Sequence, residues 1–148
     1  MIKKIFQKIC FLIFSFLNLF NFYFKIRVVG NLFNIIKIFL LKLSGAEIGE
    51  KSIIHANVFI LNPKNLKIGK NSVIGSNTEI FNYSKLIIGN NVDIGTQIYI
   101  NTNNHNTSNP ALNLNNKINP ISNEIKISDD VWIGARVSIL SGVNVDSR

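Results

Sequence analysis

The chain has 148 residues, 47% of them hydrophobic, with 16 Lys and Arg against 8 Asp and Glu, giving a formal net charge of +8. That length suits one domain plus an appendage, and the single cysteine, Cys10, excludes an intramolecular disulfide and fits a reducing compartment. The charge is local: residues 1–46 carry seven basic residues (Lys3, Lys4, Lys8, Lys25, Arg27, Lys37 and Lys42) and no acid, while residues 47–148 carry nine basic and eight acidic ones. Because the excess sits in an apolar N-terminus, it does not support nucleic-acid binding.

The chain opens on a membrane-seeking segment. Residues 9–24 hold no charge, and as a helix these sixteen residues span roughly 24 Å, short of the ~30 Å hydrocarbon core. A second stretch places Leu32, Ile35, Ile36, Phe39, Leu40 and Leu43 at helical spacing, with Asn31 as the expected N-cap and Gly45 as the expected stop. Basic, aromatic, amphipathic helices lie in the membrane interface. Contact of residues 1–46 with a membrane surface is therefore the leading expectation, ahead of a role capping the following domain and ahead of a true span. No small-x-small cleavage site follows the apolar run, which argues against a signal peptide.

From residue 47 the pattern changes. Residues 48, 54, 60, 68, 74, 80, 88, 94, 100, 127, 133 and 139 are all Ile and 145 is Val; they fall six apart, with steps of eight after Ile60 and Ile80 and one long step after Ile100. Ile48, Ile68 and Ile88 are thus spaced by twenty, as are Ile54, Ile74 and Ile94. An α-helix returns every 3.6 residues and cannot use this repeat. Stacked short strands can, so a parallel β-helix with triangular coils is predicted for residues 47–148. The residues four after each Ile (Ser52, Val58, Ser72, Thr78, Val92, Ile98) share its face and line the interior. The glycines after the aliphatics, with Asn71, Asn77, Asn91 and Asp129, are expected at turns where positive φ is cheap.

One interruption breaks the rhythm. After Ile100 the next repeat residue is Ile127, and residues 101–126 hold ten Asn and two Pro, so they form an inserted loop. Long loops on rigid scaffolds are common sites of function. His105 stands at the base of this loop. A histidine in a polar loop is usually bland, but imidazole titrates near neutral pH and suits general-base work.

The stretch 68–145 resembles the hexapeptide-repeat O-acetyltransferases, the group of galactoside, maltose and polysaccharide acetyltransferases. The resemblance rests on Asn101-Thr102-Asn103-Asn104-His105, the polar loop, Val131-Trp132-Ile133-Gly134-Ala135, and Ile139-Leu140-Ser141-Gly142-Val143. It implies a mainly β fold, a left-handed parallel β-helix with an N-terminal α-helical segment, that forms a homotrimer with sites between subunits. The hand comes from the resemblance alone, since parallel crossovers elsewhere are right-handed. It also implies transfer of an acetyl group from acetyl-CoA to a sugar hydroxyl, with His105 as general base. In this scheme the Ala135 backbone N–H serves the oxyanion and Trp132 lines the site. Asn77, Tyr83 and Asn103 contact the acceptor, Tyr83 standing where sugar acetyltransferases carry a carboxylate. With the basic N-terminus, this places the expected role in surface polysaccharide or lipid-linked glycan synthesis at the cytoplasmic membrane face.

Metal chemistry is not expected. Carbonic anhydrases of related fold need three histidine ligands, and this chain has two, His55 and His105. The sequence stops at Val145-Asp146-Ser147-Arg148, partway through a coil. The alternative expectation is accordingly a truncated, non-catalytic remnant or structural β-helix that lacks a complete coenzyme A site.

Overall fold

The computed structural model describes residues 2–20, 27–105 and 120–147. Two helices, α1 (Ile2–Phe20) and α2 (Arg27–Leu43), precede a triangular coil of short parallel strands. The first face stacks Glu47–Ile48, Leu66–Ile68, Leu86–Ile88, Ile125–Ile127 and Asn144–Val145. The second stacks Ile53–Ile54, Val73–Ile74, Asp93–Ile94 and Trp132–Ile133. The third stacks Phe59–Ile60, Glu79–Phe81, Tyr99–Asn101 and Ser138–Leu140. Ile aligns with Ile across neighbouring coils, as in Ile54 with Ile74, Ile74 with Ile94, and Ile80 with Ile100.

The repeat isoleucines fill the interior, and Ile80, Ile94 and Ile100 are fully buried. The eight-residue steps have their own explanation: Leu66, Leu86 and Ile125, two residues before Ile68, Ile88 and Ile127, turn inward and fill the third corner. Interior hydroxyls bridge coils. Ser72 Oγ donates to the Gly89 carbonyl at 2.8 Å and accepts the Val92 N–H at 3.1 Å.

The corners correct two expectations. Positive φ falls at Asn71, Asn77 and Asn91 as predicted, but at Asp130 rather than Asp129, and also at Lys51, Asn57, Gln97 and Arg136. Asp129 instead accepts the Asn90 backbone N–H at 2.7 Å and its side-chain amide at 3.0 Å, and these two bonds hold its carboxyl below the usual range. The glycines that follow the aliphatics are not at positive φ; close stacking explains them. A Cβ on Gly69 would lie 2.5 Å from the backbone of Gly89, so the coils can approach only where no Cβ exists.

The helices close the lower end of the coil. An uncovered coil presents unpaired strand edges. Here α2 supplies the missing partners: Asn34 Oδ1 accepts the Ile54 N–H at 3.0 Å, and Lys37 Nζ donates to the carbonyls of Ile54 and His55 at 2.6 and 3.0 Å. Lys37 is 1% exposed, and this burial pushes its pKa down to about 8. Cys10, Phe14, Leu40 and Leu41 extend the core into the helices. Asn31 is not the N-cap expected of it, because α2 begins four residues earlier at Arg27. Gly45 does end the helix, at φ +106°, with Ala46 N–H bonding to the Leu41 carbonyl and Gly45 N–H to that of Lys42.

Candidate functional site

The corner between the third and first faces is where the chain leaves the coil, and Thr102 anchors the departure. It is fully buried, donates its N–H to Phe81, and receives the Ser84 N–H on Oγ1 at 2.8 Å. Its carbonyl accepts the Asn123 N–H and the Ser141 hydroxyl, so the outgoing and returning strands and the next coil share one knot. Beyond it, Asn103–His105 pairs antiparallel with Pro120–Ser122 and places His105 opposite Pro120. Asn103 is fixed twice: its N–H donates to Asn101 Oδ1 at 2.9 Å and its Oδ1 accepts from Ser122 at 3.1 Å.

The predicted inserted loop 101–126 is therefore a two-stranded neck rooted in the coil, with residues 106–119 lying outside the described ones. The neck fixes the backbone of His105; the side chain of this predicted base also lies outside the description. Tyr83, 51% exposed, sits one coil below on the same corner. The structure thus brings His105, Asn103 and Tyr83 to one edge of the triangle.

It does not bring the other predicted residues there. Ala135 and Asn77 lie at the corner between the second and third faces, both exposed. The Asn77 Oδ1 accepts from Asn57 at 3.2 Å. The Ala135 N–H has no acceptor among the described residues, which leaves a donor open to solvent at that corner. Trp132 stands on the second face and is 78% exposed. A six-residue side reaches at most about 20 Å, and on one chain His105 and Ala135 occupy different corners.

Two further features escaped the sequence reading. An aromatic ladder, Phe59, Phe81 and Tyr99, climbs the outer third face with centroid spacings of 5.3 and 5.6 Å. A cavity of about 430 Å³ lies between α1 and the third-to-first corner, with Tyr83 and Lys64 on one wall and Lys4 and Lys8 on the other. The strict repeat identified neither, because both join residues across coils or across the helix–coil boundary. No group of three His, Cys, Asp or Glu that could hold a metal occurs among the described residues.

Comparisons with known proteins follow this geometry. The model of the family described as the hexapeptide repeat of succinyl-transferase matches residues 65–101. A hexapeptide-repeat-containing acetyltransferase from Vibrio cholerae superposes with a TM-score of 0.73 at 22% identity, over 96% of this chain and 75% of that one. Its complex with acetyl coenzyme A, from Vibrio cholerae O1 biovar eltor, gives 0.68 at 24% identity, over 88% and 66%. A maltose O-acetyltransferase from Clostridium difficile 630 gives 0.70 at 22% identity, over 97% and 70%. No curated protein matches the chain by sequence. Likeness at these identities establishes the fold, the left-handed parallel β-helix.

Proposed function

Because the chain carries the hexapeptide repeat and takes the fold of the hexapeptide-repeat acetyltransferases, we propose that it transfers an acetyl group from acetyl-CoA to a sugar hydroxyl. One observation carries the reading: His105 stands at the root of the one excursion from the coil among the described residues, on a neck knotted at Thr102. A hydroxyl is a poor nucleophile near neutral pH. The His105 imidazole takes the acceptor proton as the oxygen attacks the thioester carbonyl. The Ala135 N–H of a neighbouring copy donates to the oxyanion of the tetrahedral intermediate. As the C–S bond breaks, the imidazolium returns its proton to the departing coenzyme A thiolate. Asn103 and Tyr83 contact the acceptor from the chain that carries His105, Asn77 does so from the neighbouring copy with Ala135, and Trp132 offers its exposed indole to the site between copies.

The separation of Ala135 from His105 on one chain supports a homotrimer as the working unit. A structural, non-catalytic coil is the competing reading, and the same separation favours it if the chain stays monomeric. The outer faces of the helices support membrane contact at the cytoplasmic face. Ile5, Phe6, Ile9 and Leu12 on α1 and Ile35 and Phe39 on α2 are each about half exposed or more. No described helix is long and apolar enough to cross a membrane. In an acetyl-CoA turnover assay with a panel of sugar and glycan acceptors, His105→Ala is expected to lower transfer ~10²–10⁴-fold. An unchanged rate, or no turnover by a confirmed trimer, overturns the assignment.

A further inference from the structure

The cavity between α1 and the third-to-first corner is built from three lysines and two aromatic rings, and no carboxylate lines it. Lys4 and Lys8 stand one turn apart on α1. Like charges at this spacing cost a helix a few tenths of a kcal/mol, a repulsion that an anion between them relieves. Lys64 faces them from the turn Pro63–Asn65. That turn is rigid: Asn65 Nδ2 donates to the carbonyls of Asn82 and Tyr83 at 3.1 and 2.8 Å. The stem of Lys64 crosses Gly45 so closely that a Cβ there would lie 2.8 Å from its Cγ. The only ion pair among the described residues joins Lys67 to Glu47, so these three ammonium groups have no carboxylate partner.

The surroundings of the cavity narrow the ligand class. Lys8 lies on α1 at the border between the cavity and the exposed stripe of Ile5, Ile9, Leu12 and Phe16, which are 46–67% exposed with their neighbour Ile13. A cationic cavity bordered by open apolar surface fits a ligand with an anionic head and a hydrocarbon tail. We propose that this cavity binds the phosphate of an anionic membrane lipid, with Lys4, Lys8 and Lys64 as its ligands. This rests on the membrane-contact reading and extends it to the acceptor. Tyr83 lines the cavity one coil below the neck, and coils stack about 4.8 Å apart. A lipid-linked glycan held by its phosphate therefore lies along the same corner that carries His105.

The test uses the full chain and two kinds of vesicle, pure phosphatidylcholine and equal parts phosphatidylcholine and phosphatidylglycerol. Co-sedimentation is expected to favour the anionic vesicles. The triple variant Lys4→Gln, Lys8→Gln, Lys64→Gln is expected to bind them on the order of 100-fold more weakly, at about fivefold per lysine. Removing the same charge from the coil, by Lys51→Gln, Lys70→Gln and Lys85→Gln, is expected to change binding by less than about threefold; circular dichroism confirms that both variants fold. Equal losses in the two triples mean diffuse attraction and overturn the proposal, as does full binding by the cavity variant. Titration with inorganic phosphate separates the sources: saturation of the wild type by free phosphate without binding to anionic vesicles rejects a lipid ligand. His105→Ala, which removes transfer, keeps vesicle binding, so the site and the catalytic reading fail separately.

Discussion

The coil and the helical cap treat apolar side chains in opposite ways. In the coil each repeat isoleucine from Ile54 to Ile100 points inward and is at most 3% exposed. In α1, Cys10 and Phe14 are buried, yet Ile5, Phe6, Leu12 and Phe16 are each more than half exposed. Charge divides the same way, with both signs on the coil and only basic residues in 1–46. The coil buries its own hydrophobic surface through repetition. The cap buries one face to close the coil and leaves the other exposed, the apolar surface on which the proposed membrane contact rests.

The sharpest test of this contrast is truncation inside the coil. Ile94→Ala removes a fully buried side chain and is expected to cost about 2–5 kcal/mol in denaturant unfolding. A cost below 1 kcal/mol would mean that the coil tolerates cavities and is not the stable half.

Next in size is the joint between the two regions. Burial holds the Lys37 pKa at about 8, below the ordinary lysine value of 10.5, so between those limits the unfolded chain binds more protons than the folded one. Stability therefore rises with pH across that window relative to Lys37→Met, by at most about 3 kcal/mol, and the two profiles run parallel below pH 8. Parallel profiles throughout would show that the ammonium is not desolvated where it meets Ile54 and His55.

Close stacking predicts a smaller pair of effects. Gly69→Ala drives a Cβ into the backbone of Gly89 and is expected to cost about 1–3 kcal/mol. Gly134→Ala meets nothing within 4 Å and is expected to be neutral, which thermal melts of the two variants can check. The smallest effect belongs to the cap's outer face. Leu12→Ser is expected to change stability by less than about 0.5 kcal/mol while weakening vesicle binding. A large loss of stability would show that Leu12 packs against its own chain.

Much of the coil was legible in the sequence because a strict period leaves few alternatives. Spacings of six and eight define which residues face inward, and the interruption after Ile100 marks where the chain must leave. The turn residues were read less well. Asp129 and Asp130 are adjacent and chemically alike, but Asp130 stands three after Ile127 as Asn71 and Asn91 stand three after Ile68 and Ile88, and all three take positive φ. The start of α2 at Arg27 was missed because Asn31 offers a capping signal that the helix overrides.

By itself, the sequence determined the interior of the coil, the site of its excursion and the segregation of charge, since each follows from order along the chain. Tertiary structure alone decided that Lys37 and Asn34 seal the lower edge and that Lys4 and Lys8 meet Lys64 across a cavity. These pairings join residues far apart in sequence. They depend on how helix and coil, or one coil and the next, come to lie against each other, and no local pattern encodes that.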